Sequence, residues 1–473
     1  MIDDPMMAAR SRFYPLQALT LALALGVGGC AVTRTPYSAP QPAVPAQWDT
    51  PTAAMAPAAA GTDRWWPRFE DPVLTALVDQ ALLRNADMAV AGLSVRQAQL
   101  AAGLADNDRW PVPNAILNST SQRAINHAGT RSQTHSASAG VSWEVDLWQR
   151  LAALSDAAEW EAQATEQDRR ATALSIAGTV AADYWQLAYL NQRVASAQAS
   201  LDYARRTRDL VTVQHEAGAV SGLERQQAEQ TVLSQQASLS ALEEQRTQTR
   251  HALVILFDHA PGADALTRLL PQEPQALPDR PLPPVAAGVP AEVLGRRPDL
   301  RAAELRLRET LAQHDAAAAA YYPTLSLTGA LGSSSNALSS LLSNPVGTLG
   351  AGLTLPFLRV REMHLTNARN QAAYESAVIG YRQTLYNALT DVQNALSNRE
   401  ALARQGEWLA GSLAAARQVE AMTEVRYRHG AVALKDWLDA QESRRTAEVA
   451  LAENQLSRLQ NQVTLYQALG GGV

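Results

Sequence analysis

Residues able to do covalent or acid–base chemistry are few in this 473-residue chain, and their spacing builds no catalytic site. There is no His-Glu-x-x-His run and no phosphate-cradling glycine loop, so neither a zinc protease nor a nucleotide-binding site is written here. The eight histidines are scattered and read as polar surface residues. What remains is one cysteine, Cys30, and a charged cluster late in the chain, Lys435, Asp436 and Asp439. Lys435 is the only lysine among 40 basic residues. Two carboxylates three residues apart on a helix read, by composition alone, as a solvated face.

Cys30 is the better placed of the two for chemistry. Arg10 and Arg12 precede an apolar run from Leu16 to Val27, and small residues lead into the cysteine. That is the layout of a secretory signal peptide, and the run is shorter than the about 20 residues a membrane-crossing helix needs. Val27-Gly28-Gly29-Cys30 resembles a bacterial lipobox, and Ala31 follows where an acidic residue would resemble a signal for retention in the inner membrane. The expected modification is a covalent lipid on Cys30, S-diacylglycerol with N-palmitoyl, and no other cofactor. With a single cysteine no internal disulfide can form, so burial and hydrogen bonding must stabilise an exported protein of this length. A net charge of −6 without a basic block argues against nucleic acid as a partner.

The elements that must position these residues come in two copies. Asp87 and Asp299, Ala91 and Ala303, Arg96 and Arg308, Pro111 and Pro323, Gly140 and Gly352, Gly218 and Gly430, and Ala228 and Ala440 all differ in number by 212. Each copy reads as helix, strand pair, very long helix, glycine turn and returning helix. Leu187, Leu190, Val194, Ala197, Leu201, Ala204 and Val211 recur at spacings of three and four, and Ala228, Val232, Leu239, Leu242, Leu253 and Leu256 do the same after the turn. The two helices can therefore pair antiparallel as a coiled-coil hairpin about Gly218. From Trp148 to Gln214 a helix would span roughly 100 Å, far more than a compact domain needs.

Between the helices the period changes to two. Ala137, Ala139, Val141, Trp143 and Val145 alternate with Ser136, Ser138, Gly140, Ser142 and Glu144. The alternation returns at Leu325, Leu327 and Leu331, again at Leu349, Ala351, Leu353, Leu355 and Phe357, and weakly at Ala115 and Leu117. Strands of this kind suit a membrane β-barrel and also a half-buried soluble sheet. Four strands cannot close a barrel, and an open edge in lipid costs several kcal/mol per unpaired backbone group. A barrel would have to be shared, with two copies the minimum and three giving twelve strands.

The chain divides into a signal peptide (1–29), a lipidated Ala- and Pro-rich tether (30–64), a first repeat (65–270), a Pro-rich connector (271–290) and a second repeat (291–473). Strands are expected near 112–122, 135–147, 324–333 and 348–358, and helical hairpins over 148–258 and 359–469.

Trp65-Trp66-Pro67-Arg68-Phe69-Glu70-Asp71-Pro72, Arg296-Arg297-Pro298-Asp299-Leu300-Arg301-Ala302-Ala303-Glu304, Tyr322-Pro323-Thr324-Leu325-Ser326-Leu327 and the terminal Leu469-Gly470-Gly471-Gly472 occur in an order that resembles the outer-membrane factors of tripartite efflux pumps, in their lipoprotein subfamily. The resemblance implies a mainly α fold with a membrane β-barrel. The assembly it implies is a homotrimer whose twelve-stranded barrel continues into a twelve-helix periplasmic α-barrel, with the connector in an equatorial region. It implies a passive exit duct for drugs or other toxic solutes and no enzyme activity. Its partners would be a periplasmic membrane-fusion adaptor, an inner-membrane pump of the RND type and outer-membrane lipid. A periplasmic coiled-coil structural or adaptor lipoprotein is the competing reading, against which the strand alternation argues. By the same resemblance Asp436 and Asp439 match rings of carboxylates at a periplasmic constriction, with Lys435 departing from an apolar residue. Tyr427 and Glu224 match a hydrogen-bonded latch, in which Val432 replaces an arginine. Gly218 and Gly430 read as turn residues permitting positive φ, and the resemblance implies that they belong to the tip that an adaptor engages.

Overall fold

The computed structural model describes residues 34–41, 43–49, 64–123, 125, 131–262, 264–285, 288 and 290–471. Cys30 and the signal peptide lie outside the described residues. In chain order the elements are α1 (Pro72–Arg84), α2 (Ala86–Asn107), β1 (Val112–Arg123), β2 (Arg131–Val145), α3 (Arg150–Glu216), α4 (Gly222–Ile255), α5 (Ala265–Leu269), α6 (Pro290–Arg296), α7 (Pro298–Ala319), β3 (Thr324–Ser335), β4 (Val346–Thr354), α8 (Val360–Arg428) and α9 (Leu434–Ala468). Shifting both bounds of α2 by 212 gives those of α7, and shifting β1 gives β3. The ends of α3 and α8 and the starts of α4 and α9 keep the same offset. The described residues form two compact units, one of those within 34–39, 98–161 and 306–378, the other of those within 40–97, 162–305 and 379–471.

The first unit holds an antiparallel sheet in the order β1-β2-β3-β4. Its register aligns the alternation of all four strands, since Leu117 lies opposite Ala137, Trp143 opposite Leu327 and Leu325 opposite Leu353. One face carries an apolar band of Leu117, Ala137, Ala139, Val141, Trp143, Leu325, Leu327, Leu331, Leu349, Ala351 and Leu353 that gives way to Ser119, His135 and Ser335 at one end, while Asn118, Ser136, Ser138, Ser326 and Thr328 line the other face. The apolar face is uncovered, with Leu117 82% and Leu349 93% exposed. Exposed apolar area on that scale is what lipid, not water, solvates. β2 begins at Arg131, ahead of the alternation at 135, because the polar residues on either side of the β1–β2 turn still pair, Arg123 with Arg131 among them. Among the described residues no helix is long and apolar enough to cross a membrane.

Where α3 and α7 carry acidic residues in this unit, burial and the carboxylate of Glu161 push Glu309 up from 4.5 to about 7. A carboxyl whose folded pKa is raised holds its proton more tightly folded than unfolded, so stability falls as pH rises from 4.5 toward 7. Glu309→Gln, neutral throughout, should raise the melting temperature by a few degrees at pH 8 and leave it nearly unchanged at pH 4.5; thermal melts at both pH values check this.

The described tether residues 34–37 pack on this unit instead of trailing free. Arg34 pairs with Asp156 at 2.6 Å, and the Thr35 amide and hydroxyl both donate to Asp315 at 2.7 Å.

The second unit is built on an aromatic core that explains two of the sequence motifs. Trp65 stacks on Tyr466 at 5.3 Å, while Phe69 meets both rings edge-on. Asp71 then caps α1 by accepting from Val73 N (2.9 Å) and Leu74 N (3.0 Å), with Pro72 at the first helical position. Tyr184 donates to the other oxygen of Asp71 at 3.0 Å, fastening the cap to α3. At the chain's end Gly470 sits at φ +84° against the backbone of Arg296, where a Cβ would come within 2.8 Å. Only glycine satisfies both constraints. Arg297, beside it, binds Asp299 at 2.7 Å and Asp391 at 3.1 Å; burial opposes both charges of the Arg297–Asp299 pair, yet pairing prevails and holds Asp299 below the usual carboxylate range.

Candidate functional site

The charged cluster and the candidate latch lie in the second unit, where the long helices turn. α3 ends in a left-handed residue, Gly218 at φ +74°, with Gly218 N donating to His215 O (2.9 Å) and Ala219 N to Gln214 O (2.8 Å). α8 ends the same way at Gly430, φ +71°, through Tyr427 O (2.8 Å) and Arg426 O (2.9 Å). Both are Schellman caps, which satisfy two helix-end carbonyls and require a residue tolerant of positive φ. A Cβ at either glycine would meet nothing within 4 Å, so the backbone conformation, and not crowding, demands glycine.

Next to the turns a small apolar cluster joins the two hairpins. Val211, Ala228, Tyr427, Leu434 and Trp437 are buried together, separate from the Trp65 core. Trp437 stacks on Tyr427 at 5.0 Å and meets Tyr203 edge-on at 6.0 Å. Burial and the carboxylates of Glu424 and Glu420 push the Tyr203 phenol up to about 12. Burial, then the charge of Glu224, raises Tyr427 above its ordinary value. Both phenols stay protonated at neutral pH and serve as donors.

The expected Tyr427–Glu224 hydrogen bond is not formed in this structure. Tyr427 donates to Gln214 Oε1 at 3.1 Å. The Glu224 carboxylate turns back onto its own helix, accepting from Ser221 N at 2.7 Å and Ser221 Oγ at 3.2 Å. The cause is local: Ser221-Gly222-Leu223-Glu224 has the spacing of a capping box, whose carboxylate satisfies an orphan amide at the start of α4. Glu224 thus reaches Tyr427 through its charge alone.

The acidic pair is also engaged within its own helix. Asp436, three residues into α9, accepts from Ala433 N at 3.1 Å. Asp439 forms an ion pair with Lys435, four residues away, and that contact raises the lysine above its ordinary value. Lys435, Asp436 and Asp439 are all exposed. The second tip, after Gly430, therefore carries two carboxylates and one ammonium, a net of −1 from this trio. At the position of the first tip that the duplication makes equivalent to Lys435 stands Leu223, 68% exposed.

Gln214, Tyr203 and Trp437 act at this site without having been singled out from the sequence. Trp437 was findable, since Leu434, Trp437, Leu438 and Gln441 fall on one helical face. Nothing in the sequence marks Gln214 as an acceptor. Among the described residues no group of three or more histidines and carboxylates could hold a metal ion.

Comparison with known proteins gives a consistent result. The model of the family described as "Outer membrane efflux protein" matches residues 77–257 and 289–471, and the starts of its two matches keep the offset of the duplication. The pyoverdine export outer membrane protein OpmQ of Pseudomonas putida is 32% identical over 468 residues, covering 97% of this chain and 98% of its own. The outer membrane protein OprJ of Pseudomonas aeruginosa is 31% identical over 471 residues, covering 98% and 97%. Among solved structures, the open state of the Neisseria gonorrhoeae MtrE outer membrane channel superposes with a TM-score of 0.81 at 29% identity, covering 93% of this chain and 98% of the channel.

Proposed function

The chain belongs to the outer membrane efflux protein family and is an outer-membrane efflux channel; from that premise we propose that it works as a homotrimer, the exit duct of a tripartite pump with a periplasmic adaptor and an inner-membrane RND-type partner. The observation that carries this reading is the four-stranded sheet with an exposed apolar band on one face and two unpaired edges. Three such sheets make twelve strands, closing every edge with lipid outside and the serine-rich face toward water. Drugs or other toxic solutes are its cargo on this reading, since such ducts carry no tight recognition pocket and leave selection to the pump.

The hairpin tips are the constriction. Three copies of Asp436 and Asp439 set like charges around one axis, and three copies of Lys435 offset part of that field. The pore should prefer cations weakly. In planar bilayers the purified protein is expected to conduct, and Asp436→Ala with Asp439→Ala, which leaves Lys435 as the local charge, should shift the reversal potential toward anion selectivity. An unchanged reversal potential in a conducting variant would remove these residues from the pore. A protein that never conducts and runs as a monomer in detergent would refute the channel itself.

Cys30 carries the lipid as an auxiliary tether on this reading, because a barrel holds itself in the bilayer. Cys30→Ser behind an alternative cleavable signal peptide should still reach the outer membrane and form trimers, as fractionation and native gels would report. Loss of the mature exported protein from that membrane would make the lipid the primary anchor.

A further inference from the structure

The seam between copies can be derived from the chain's own duplication. Paired residue numbers sum to 254 across β1–β2 and to 678 across β3–β4, and the difference is twice 212. The two hairpins therefore share one register, residue for residue. The β2–β3 pairing, which joins the repeats, sums to 470. Moving β2 forward by 212 lands on β4, and moving β3 back by 212 lands on β1, so the sum is unchanged.

Resting on the shared-barrel reading, we propose that β4 of one copy pairs antiparallel with β1 of the next copy in the register whose residue numbers sum to 470. The faces agree with it: Leu353 meets Leu117 on the apolar side, and Thr348 meets Gln122 on the polar side. A slip of one residue would set the apolar face of β4 beside the polar face of β1. A slip of two keeps the faces, and the flanking helices decide against it. Within the chain, Trp148 at the foot of β2 stacks on Tyr322 at 4.9 Å and donates to Pro323 O at 2.8 Å. The residues that the duplication makes equivalent to Trp148 and Tyr322 are Val360 and Trp110, which are 52% and 64% exposed. They meet across the seam only when the strands keep the same register. Leu100 and Leu104 of α2 are likewise 60% and 69% exposed, where their counterparts Ala312 and Ala316 on α7 are buried. The chain thus contains one copy of the interface and displays both halves of a second.

Cysteine cross-linking tests the register. Thr348→Cys with Gln122→Cys and Ala351→Cys with Ser119→Cys both sum to 470 and lie on opposite faces, so one of them is a non-hydrogen-bonded pair, whose Cα separation of about 4.5 Å suits a disulfide. Under mild oxidation in outer-membrane fractions, at least one is expected to give a covalent trimer that reductant removes. Thr348→Cys with Asn118→Cys, off by four, and the single-cysteine parents, which report any contribution from Cys30, should not. Equal or stronger cross-linking of the off-register pair would overturn the register while leaving the shared barrel standing, as would a conducting trimer in which neither 470 pair cross-links. A monomer without channel currents would instead refute the shared barrel, and the proposal with it.

Discussion

Trp437→Ala is expected to raise the channel's basal conductance and open the hairpin tips to protease, while the rest of the molecule stays folded. Trp437 is 2% exposed, and Tyr427 and Tyr203 both pack on it. Removing a buried tryptophan costs about 3–5 kcal/mol where the surroundings cannot collapse into the gap. Few other contacts are available to compensate, since the buried part of this cluster is only five residues. The loss should appear locally, because the Trp65 core is a separate cluster. Single-channel recording and limited proteolysis check it, with Trp437→Phe expected to retain the wild-type pattern. Wild-type conductance and protease resistance in Trp437→Ala would show that this cluster does not hold the tips.

Trp65→Ala should act on the whole molecule instead. Trp65 is 1% exposed, stacks on the fully buried Tyr466 and sits against Trp66 and Phe69, so it joins the start of the first repeat to α9, the last helix of the second unit. The cavity term is again about 3–5 kcal/mol. Stacking adds about 0.5–1.5 kcal/mol beyond area burial. A lower melting temperature in detergent and reduced accumulation in the outer membrane are the expected results, with single-channel conductance unchanged in the molecules that survive. A melt indistinguishable from wild type would contradict the central place given to this stack.

The contrast between these two tryptophans bears on how much the sequence disclosed. Trp65 belongs to an ordered motif that identifies the family, whereas Trp437 lies in a helix where only periodicity distinguishes core from surface. The duplication was fully legible because both repeats keep one spacing without insertion, and the strands were legible because neither face of the sheet is covered by another element. Side-chain partnerships at the tips were not, with two exceptions. The Ser221–Glu224 capping box and the Lys435–Asp439 pair follow from spacings of three and four on a helix. The capping box and the latch thus compete for the one carboxylate of Glu224. The bond from Tyr427 to Gln214 depends on how two helices are rotated against each other, which no local spacing records. Composition could likewise describe the tether only as extended, whereas its grip on Asp315 depends on a residue 280 positions away.

The paired turns at Gly218 and Gly430 set a stoichiometry. Their backbones are superimposable in hydrogen bonding and in φ, but Leu223 flanks one and Lys435 the other. A ligand that recognises the turn backbone counts two sites per chain, and its binding is indifferent to salt. One that needs the ammonium counts a single site per chain and weakens as ionic strength rises.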